Sequence, residues 1–185
     1  MPGSGKNTVR AIVRGFGFPI VVMGDEVRAE AKRRNLDPTP ENLGKVMLQI
    51  REEEGRGVLA RRCIPKIKAS ESPVVVVDGV RSLHEVEEFK KEFPDFKMVA
   101  IDASPKTRFE RLLKRGRTDD PKDWETFVER DQRELSVGIG EVIESADYTV
   151  ANNGTKKQFR KSLKEFLMRE IEDDRTRQSA AQSTG

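Results

Sequence analysis

The chemistry most plainly written in this chain lies in Gly3-Ser4-Gly5-Lys6, directly ahead of a helical pattern. These residues fit the second half of the phosphate-binding pattern G-x-x-x-x-G-K-[ST], whose leading glycine would fall one position ahead of Met1. Glycines let backbone N–H groups converge on phosphate oxygens, and the helix that follows adds the positive end of its dipole. Pro2, Gly3, Ser4, Gly5, Lys6, Asn7 and Thr8 are therefore the candidate phosphate cradle, with Lys6 reaching the β- and γ-phosphates of a nucleotide. The pattern's next position is a hydroxyl that ligates magnesium. Here it is Asn7, and Thr8, one residue later, remains able to contact a phosphate.

Two further segments match each other. Gly24-Asp25-Glu26-Val27-Arg28 and Asp78-Gly79-Val80-Arg81 each place a carboxylate and then an arginine just past an apolar run. Asp78 closes four valines, the position from which a carboxylate holds Mg²⁺ directly or through water. Arg28 and Arg81 supply the planar fork that binds phosphate and stays charged throughout a reaction. A third cluster runs from Arg108 to Arg117. Arg111 and Arg115, four apart, share one helix face, and Arg117 follows Gly116 into a polar loop. Those three suit a lid that brings positive charge over a migrating phosphoryl group and excludes water. Arg108 and Lys114 read as a solvated basic face, and Arg130-Asp131-Gln132-Arg133-Glu134 as a helical charge ladder.

The elements that must position these residues alternate. Strands are expected at Pro19–Met23, Val74–Val77, Lys97–Asp102 and Asp147–Ala151, the first two as buried parallel strands. Helices fill the intervals: Thr8–Arg14, Asp25–Arg34, Pro40 to about Glu54 behind Thr39, and Ser82 to about Lys91, where Ser82 and Glu85 have capping-box spacing. Another follows Ser104-Pro105, and the last runs from Thr155 to about Glu172 with Phe159, Leu163, Phe166 and Leu167 on one face. Strand–helix alternation predicts an α/β layered fold with a parallel sheet, whose ligands bind past the carboxyl ends of the strands. Residues 1–177 are expected to form a single domain. Within it, residues 35–69 form a helical insertion on the acceptor side and 115–136 a lid-like segment. Residues 178–185 are expected to be a disordered tail.

Composition narrows the classes. The net charge of +3 comes from 35 basic and 32 acidic residues, so the balance demands no nucleic-acid partner. The single cysteine, Cys63, excludes an internal disulfide and reads as a buried small apolar residue. No apolar run approaches membrane-span length, and the cytoplasm is the expected location. His84, the only histidine, reads as a surface residue. Trp124 and Phe127 are expected to pack the lid helix.

These residues together resemble a small P-loop kinase of the adenylate kinase and dephospho-CoA kinase group. Pro2-Gly3-Ser4-Gly5-Lys6-Asn7-Thr8 is similar to that group's P-G-x-G-K-G-T loop, which also lacks a hydroxyl directly after its lysine. Gly24–Arg28 resembles the G-D-x-[LV]-R acceptor segment, and Asp78–Arg81 the D-G-[FY]-P-R segment without its proline. Ala146–Gly154 looks like the A-D-x-x-I-x-N-x-G segment of dephospho-CoA kinases. Within the group, the chain is most similar to an archaeal family of dephospho-CoA-kinase-like P-loop proteins, which brings no acceptor with it. The resemblance implies a three-layer P-loop NTPase of nucleotide-kinase type, with ATP and Mg²⁺ as cofactors. It further implies that Arg28 and Arg81 hold the acceptor with Asp25 nearby, and that Arg111, Arg115 and Arg117 meet the phosphoryl group. It also makes the first strand, which feeds the loop, missing from this chain, so that apolar residues ending in glycine are expected upstream of Met1.

The expected function is transfer of the γ-phosphoryl group of ATP to a small anionic or nucleotide-like acceptor. Phosphoryl transfer needs positioning and charge rather than a reactive side chain, and the inventory of one lysine, carboxylates and arginines suits it. The alternative is a nucleotide-binding regulatory or interaction module with little or no transfer, favoured by Asn7 and the absent first glycine.

Overall fold

Local side-chain chemistry sets the starts of several helices. In the computed structural model, which describes residues 1–116 and 120–182, α1 spans Lys6–Gly15, α2 Met23–Arg33, α3 Pro40–Glu54, α4 Val58–Lys68 and α5 Leu83–Glu92. Then follow α6 at Pro105–Arg115, α7 at Trp124–Ser136, α8 at Ile139–Glu144 and α9 at Lys156–Gln182. Thr39 caps α3 by accepting from the Asn42 N–H, and Ser104 caps α6 by accepting from Thr107. Ser82 and Glu85 close a full capping box at α5. Asp123 caps α7 through the Thr126 N–H. Each such cap satisfies a backbone donor that the helix leaves open, at about 1 kcal/mol.

The strands are short: β1 Ile20–Val22, β2 Val76–Asp78, β3 Val99–Asp102 and β4 Tyr148–Ala151. They pair in parallel as two separate ribbons, β1 with β2 and β3 with β4. The fold is thus α/β with parallel strands and helices around them, as the alternating pattern predicts. No strand leads into α1 among the described residues; residues 1–5 form turns.

Between the ribbons lies a cavity of about 700 Å³, walled by residues of β2 and β3 and by α1, α8 and α9. Consequently β1 and β2 are half-buried rather than the fully buried strands their composition predicts, because each ribbon has only two members and β2 faces open space. The apolar interior divides accordingly. One cluster joins α2, α3, α4 and α5 around Met23, Ile50, Cys63 and Phe89. A second joins α1, β4 and α9 through Ile12, Val150, Phe159 and Leu163, the apolar face expected of the last helix. A third holds Val86, Met98 and Val142.

Two boundaries differ from expectation. α2 begins at Met23, so Gly24 and Asp25 occupy its first turn rather than a strand end. α9 continues to Gln182, through residues expected to be a tail without structure. Ala180, Ala181 and the glutamines favour a helix already under way, where each further residue adds a hydrogen bond at little cost. Residues 183–185 lie outside the described residues.

Candidate active site

Gly3 and Gly5 adopt φ of 79° and 118°, the left-handed region that glycine enters freely. Both are also crowded. A Cβ on Gly3 would stand 2.7 Å from the Arg108 carbonyl oxygen, and one on Gly5 would stand 2.3 Å from Asn152 Nδ2. Gly5 is the N-cap of α1 and closes it with no side chain, so the helix presents its N-terminal end to the loop. The loop thus has the form its pattern predicts, and Gly5-Lys6 stand at the base of the helix.

Two residues hold the loop from behind. Asn152, buried just past β4, donates from Nδ2 to the Ser4 carbonyl at 2.7 Å and accepts from Arg111 at 3.1 Å. Arg108 is 4% exposed and donates to the Pro2 and Ala103 carbonyls while pairing through both terminal nitrogens with Asp131 of α7. Arg108 is therefore not a solvated face residue. Its fork is fully used in fastening α6, α7 and the loop together, and Asp131 faces inward to meet it. Phe109, Trp124 and Phe127 stack α6 on α7, with ring centroids 5.1–5.4 Å apart, as expected of the aromatic pair.

A second, smaller cavity of about 160 Å³ lies at the open side of the loop. Its wall brings together Lys6, Arg28, Asp78 and Arg81 from the residues singled out by sequence, and adds Arg10 and Arg51. Burial pulls the Lys6 ammonium below its ordinary range, and the nearby Asp78 carboxylate opposes that shift. Asp78, at the end of β2, accepts from Arg10 Nε at 2.5 Å. Arg81 lies 3.7 Å from Glu134 and donates weakly to the Met47 sulfur at 3.9 Å. Arg28 pairs with Asp25 one helical turn earlier, and both are more than half exposed at the rim. Asp25 does not line the cavity.

The α6 arginines stand apart from that wall. Arg111 reaches the loop through Asn152, its NH1 is buried with no acceptor, and burial lowers its proton affinity. Arg115 pairs with the buried Asp120. Arg117 lies outside the described residues. Arg10, Arg51, Arg108 and Asn152 were not among the expected site residues. Arg10 had a readable signal, since it sits one turn after Lys6 on the same helix face; the other three depend on tertiary contacts.

Could the site hold magnesium? Among the described residues no cluster of three or more histidine, cysteine or acidic side chains exists, so there is no all-protein cage. Magnesium on nucleotides is commonly held by one or two carboxylates plus the phosphates, and Asp78 alone meets that requirement. Arg10 engages Asp78 Oδ2, and the carboxylate has a second oxygen to offer such an ion.

A glycine-cornered loop at a helix start, a lysine, a strand-end carboxylate and flanking arginines define a P-loop protein of kinase-like fold. Residues 1–128 match the AAA domain family. The chain belongs to the UPF0200 family: it is 51% identical to a UPF0200 protein of Pyrococcus furiosus, over 90% of this chain and 92% of that one. It is 48% identical to a UPF0200 protein of Hyperthermus butylicus, over 91% of this chain and 90% of that one. In fold it is similar to TT1252 from Thermus thermophilus, with a TM-score of 0.60 at 19% identity, covering 91% of this chain and 93% of that one. It is also similar in fold to shikimate kinase from Acinetobacter baumannii in complex with shikimate, with a TM-score of 0.52 at 15% identity, covering 93% and 90%. The P-loop, kinase-like fold and the archaeal family of the resemblance are thus supported, and its link to dephospho-CoA kinases is not shown. No helix among the described residues is long and apolar enough to cross a membrane.

Proposed function

We propose that this chain binds ATP on residues 1–8 and transfers its γ-phosphoryl group to a small anionic acceptor in the cavity beside Lys6. One observation carries the reading: four independently placed residues, Lys6, Arg28, Asp78 and Arg81, converge on one cavity at the open side of the loop. In this reading the loop N–H groups and Lys6 bind the phosphates, and Lys6 carries positive charge toward the bond that breaks. Arg28 and Arg81 orient the acceptor. Arg111 stands at the loop from the α6 side, with an unused N–H to offer a phosphate oxygen. Mg²⁺, held by Asp78 and the phosphates, would neutralise developing charge.

A coupled assay for ADP release tests this, run across nucleoside monophosphates, dephospho-CoA and small hydroxyl acceptors. At least one should stimulate ADP formation, and Lys6→Ala should abolish it. Turnover that survives Lys6→Ala would remove the loop from the mechanism.

The second reading is a nucleotide-binding module that transfers nothing. Asn7 favours it, because it stands where the loop pattern has the hydroxyl that ligates magnesium. Tight ATP binding by calorimetry, with no transfer to any acceptor, would select it.

A further inference from the structure

The guanidinium of Arg51, on α3, is buried with only part of its donor set met inside the protein. Its side chain is 10% exposed. Of its three nitrogens, NH2 donates to Glu85 Oε1 at 2.7 Å, while Nε and NH1 are buried with no acceptor. Glu85 itself has nothing more to give. It is fully buried, and its other oxygen accepts from the Arg81 and Ser82 N–H groups at 2.7 and 3.2 Å as part of the α5 capping box. Three N–H donors of a charged group therefore remain unmet. Orphaned buried donors are rare in folded chains, and each calls for a partner.

Arg51 lines the same small cavity as Arg28 and Arg81. The only carboxylate on that wall is Asp78, and Arg10 occupies it. Arg28, Arg51 and Arg81 thus meet on that wall from three different segments, each with one carboxylate partner (Asp25, Glu85 and Glu134) and with Lys6 beside them. We infer that Arg51 is an anion-binding residue of the acceptor site and that the acceptor is a phosphate monoester. This rests on the kinase reading and names its substrate class. A phosphate monoester brings two negative charges and three terminal oxygens, enough to meet three Arg51 donors while also engaging Arg28 and Arg81. A carboxylate has oxygens enough for the Arg51 donors but brings only one negative charge to the three arginines. A neutral hydroxyl compound leaves the charge itself unmet.

The test is a calorimetric titration of the whole chain loaded with Mg·ADP, so that the loop is filled, using methyl phosphate, acetate and methanol as probes. Methyl phosphate should bind at least tenfold tighter than acetate, and methanol should not bind. Arg51→Met should weaken methyl phosphate at least tenfold while leaving ADP affinity unchanged. Arg51→Lys, which keeps one charge but loses the fork, should fall between. Equal methyl phosphate affinity in wild type and both variants overturns the proposal, since a buried water then satisfies those donors. So does acetate binding as tightly as methyl phosphate.

The two readings fail separately. Arg51-dependent methyl phosphate binding without ADP formation from any acceptor retires phosphoryl transfer and keeps the anion site. Transfer to an acceptor lacking phosphate, undiminished in Arg51→Met, keeps the kinase and retires the anion site.

Discussion

Gly5 and Asn152 touch across the back of the loop, and their substitutions should not add. Asn152→Ala removes the hydrogen bond to the Ser4 carbonyl and the acceptor for Arg111, both in a buried setting. Each group so orphaned costs about 1–3 kcal/mol, giving a loss of about 3 kcal/mol. Gly5→Ala places a side chain at φ 118°, a strain of about 1–3 kcal/mol. Its Cβ would also stand 2.3 Å from Asn152 Nδ2, so the amide must leave and surrender the same two hydrogen bonds. The single change then costs about 5 kcal/mol, strain and orphaned groups together. In the double variant those bonds are already gone and the clash has no partner, so only the strain is new. The double variant should cost about 5 kcal/mol rather than the roughly 8 obtained by addition, a coupling of about 3 kcal/mol. Urea unfolding followed by the single tryptophan, Trp124, measures all four proteins, provided their denaturant slopes agree. Nucleotide affinity should show the same pattern, because both residues shape the loop and neither faces the acceptor cavity. Losses that add would refute the claim that Asn152 clamps the loop through its contact at Gly5.

Two further expectations concern groups away from the site. Hydrogen bonds from Arg33, then Arg34 and Arg62, hold the buried Glu30 carboxyl down at about 2. Because that value is depressed on folding, its stabilisation is present above the ordinary carboxylate range and disappears as pH falls from about 4.5 toward 2. Urea midpoints should therefore drop more steeply over that window in the wild type than in Glu30→Gln, and parallel curves would contradict the assignment. Burial lifts the Cys63 thiol to about 12, so a thiol reagent at pH 8 should modify it only after unfolding. Rapid modification of the native protein would show that α4 is not packed as described.

What was legible in the sequence was what neighbours along the chain decide. The caps at Thr39, Ser82 with Glu85, and Ser104 need a side chain only to reach a backbone N–H three residues on, and all three form. The glycines of the loop likewise answer a local backbone demand. Arg108 shows the limit. Its neighbours Lys114 and Arg115 suggest a basic outer face, yet Asp131, 23 residues later, draws it inside. Asn152 looked like a turn residue after a strand, and only the folded chain brings it across 148 positions to Ser4. Arg51 is followed directly by Glu52, Glu53 and Glu54 in the chain. Its actual partner is Glu85, on a different helix. Burial in the strands was misjudged for a related reason: apolar composition registers a preference for the interior, whereas occupancy depends on how many strands assemble.

The division of the sheet and the division of the site follow the same line. β1 and β2 deliver Arg28, Asp78 and Arg81 to the smaller cavity, and the helices between them add Arg51. β3 and β4 deliver α6 and Asn152 to the back of the loop. Residues 1–15, the loop and α1, touch both sets: Arg10 meets Asp78 on one side, and Pro2 and Ser4 meet Arg108 and Asn152 on the other; α7 does the same through Glu134 to Arg81 and Asp131 to Arg108. Among the described residues, side chains rather than strand pairing therefore link the two ribbons, and in the kinase reading they set the distance between the nucleotide and the acceptor. Among the described residues no ladder of hydrogen bonds joins β2 to β3 across the cavity between them. A ligand that spans both subsites would supply the missing link, so nucleotide and acceptor together should stabilise the fold by more than the sum of each alone.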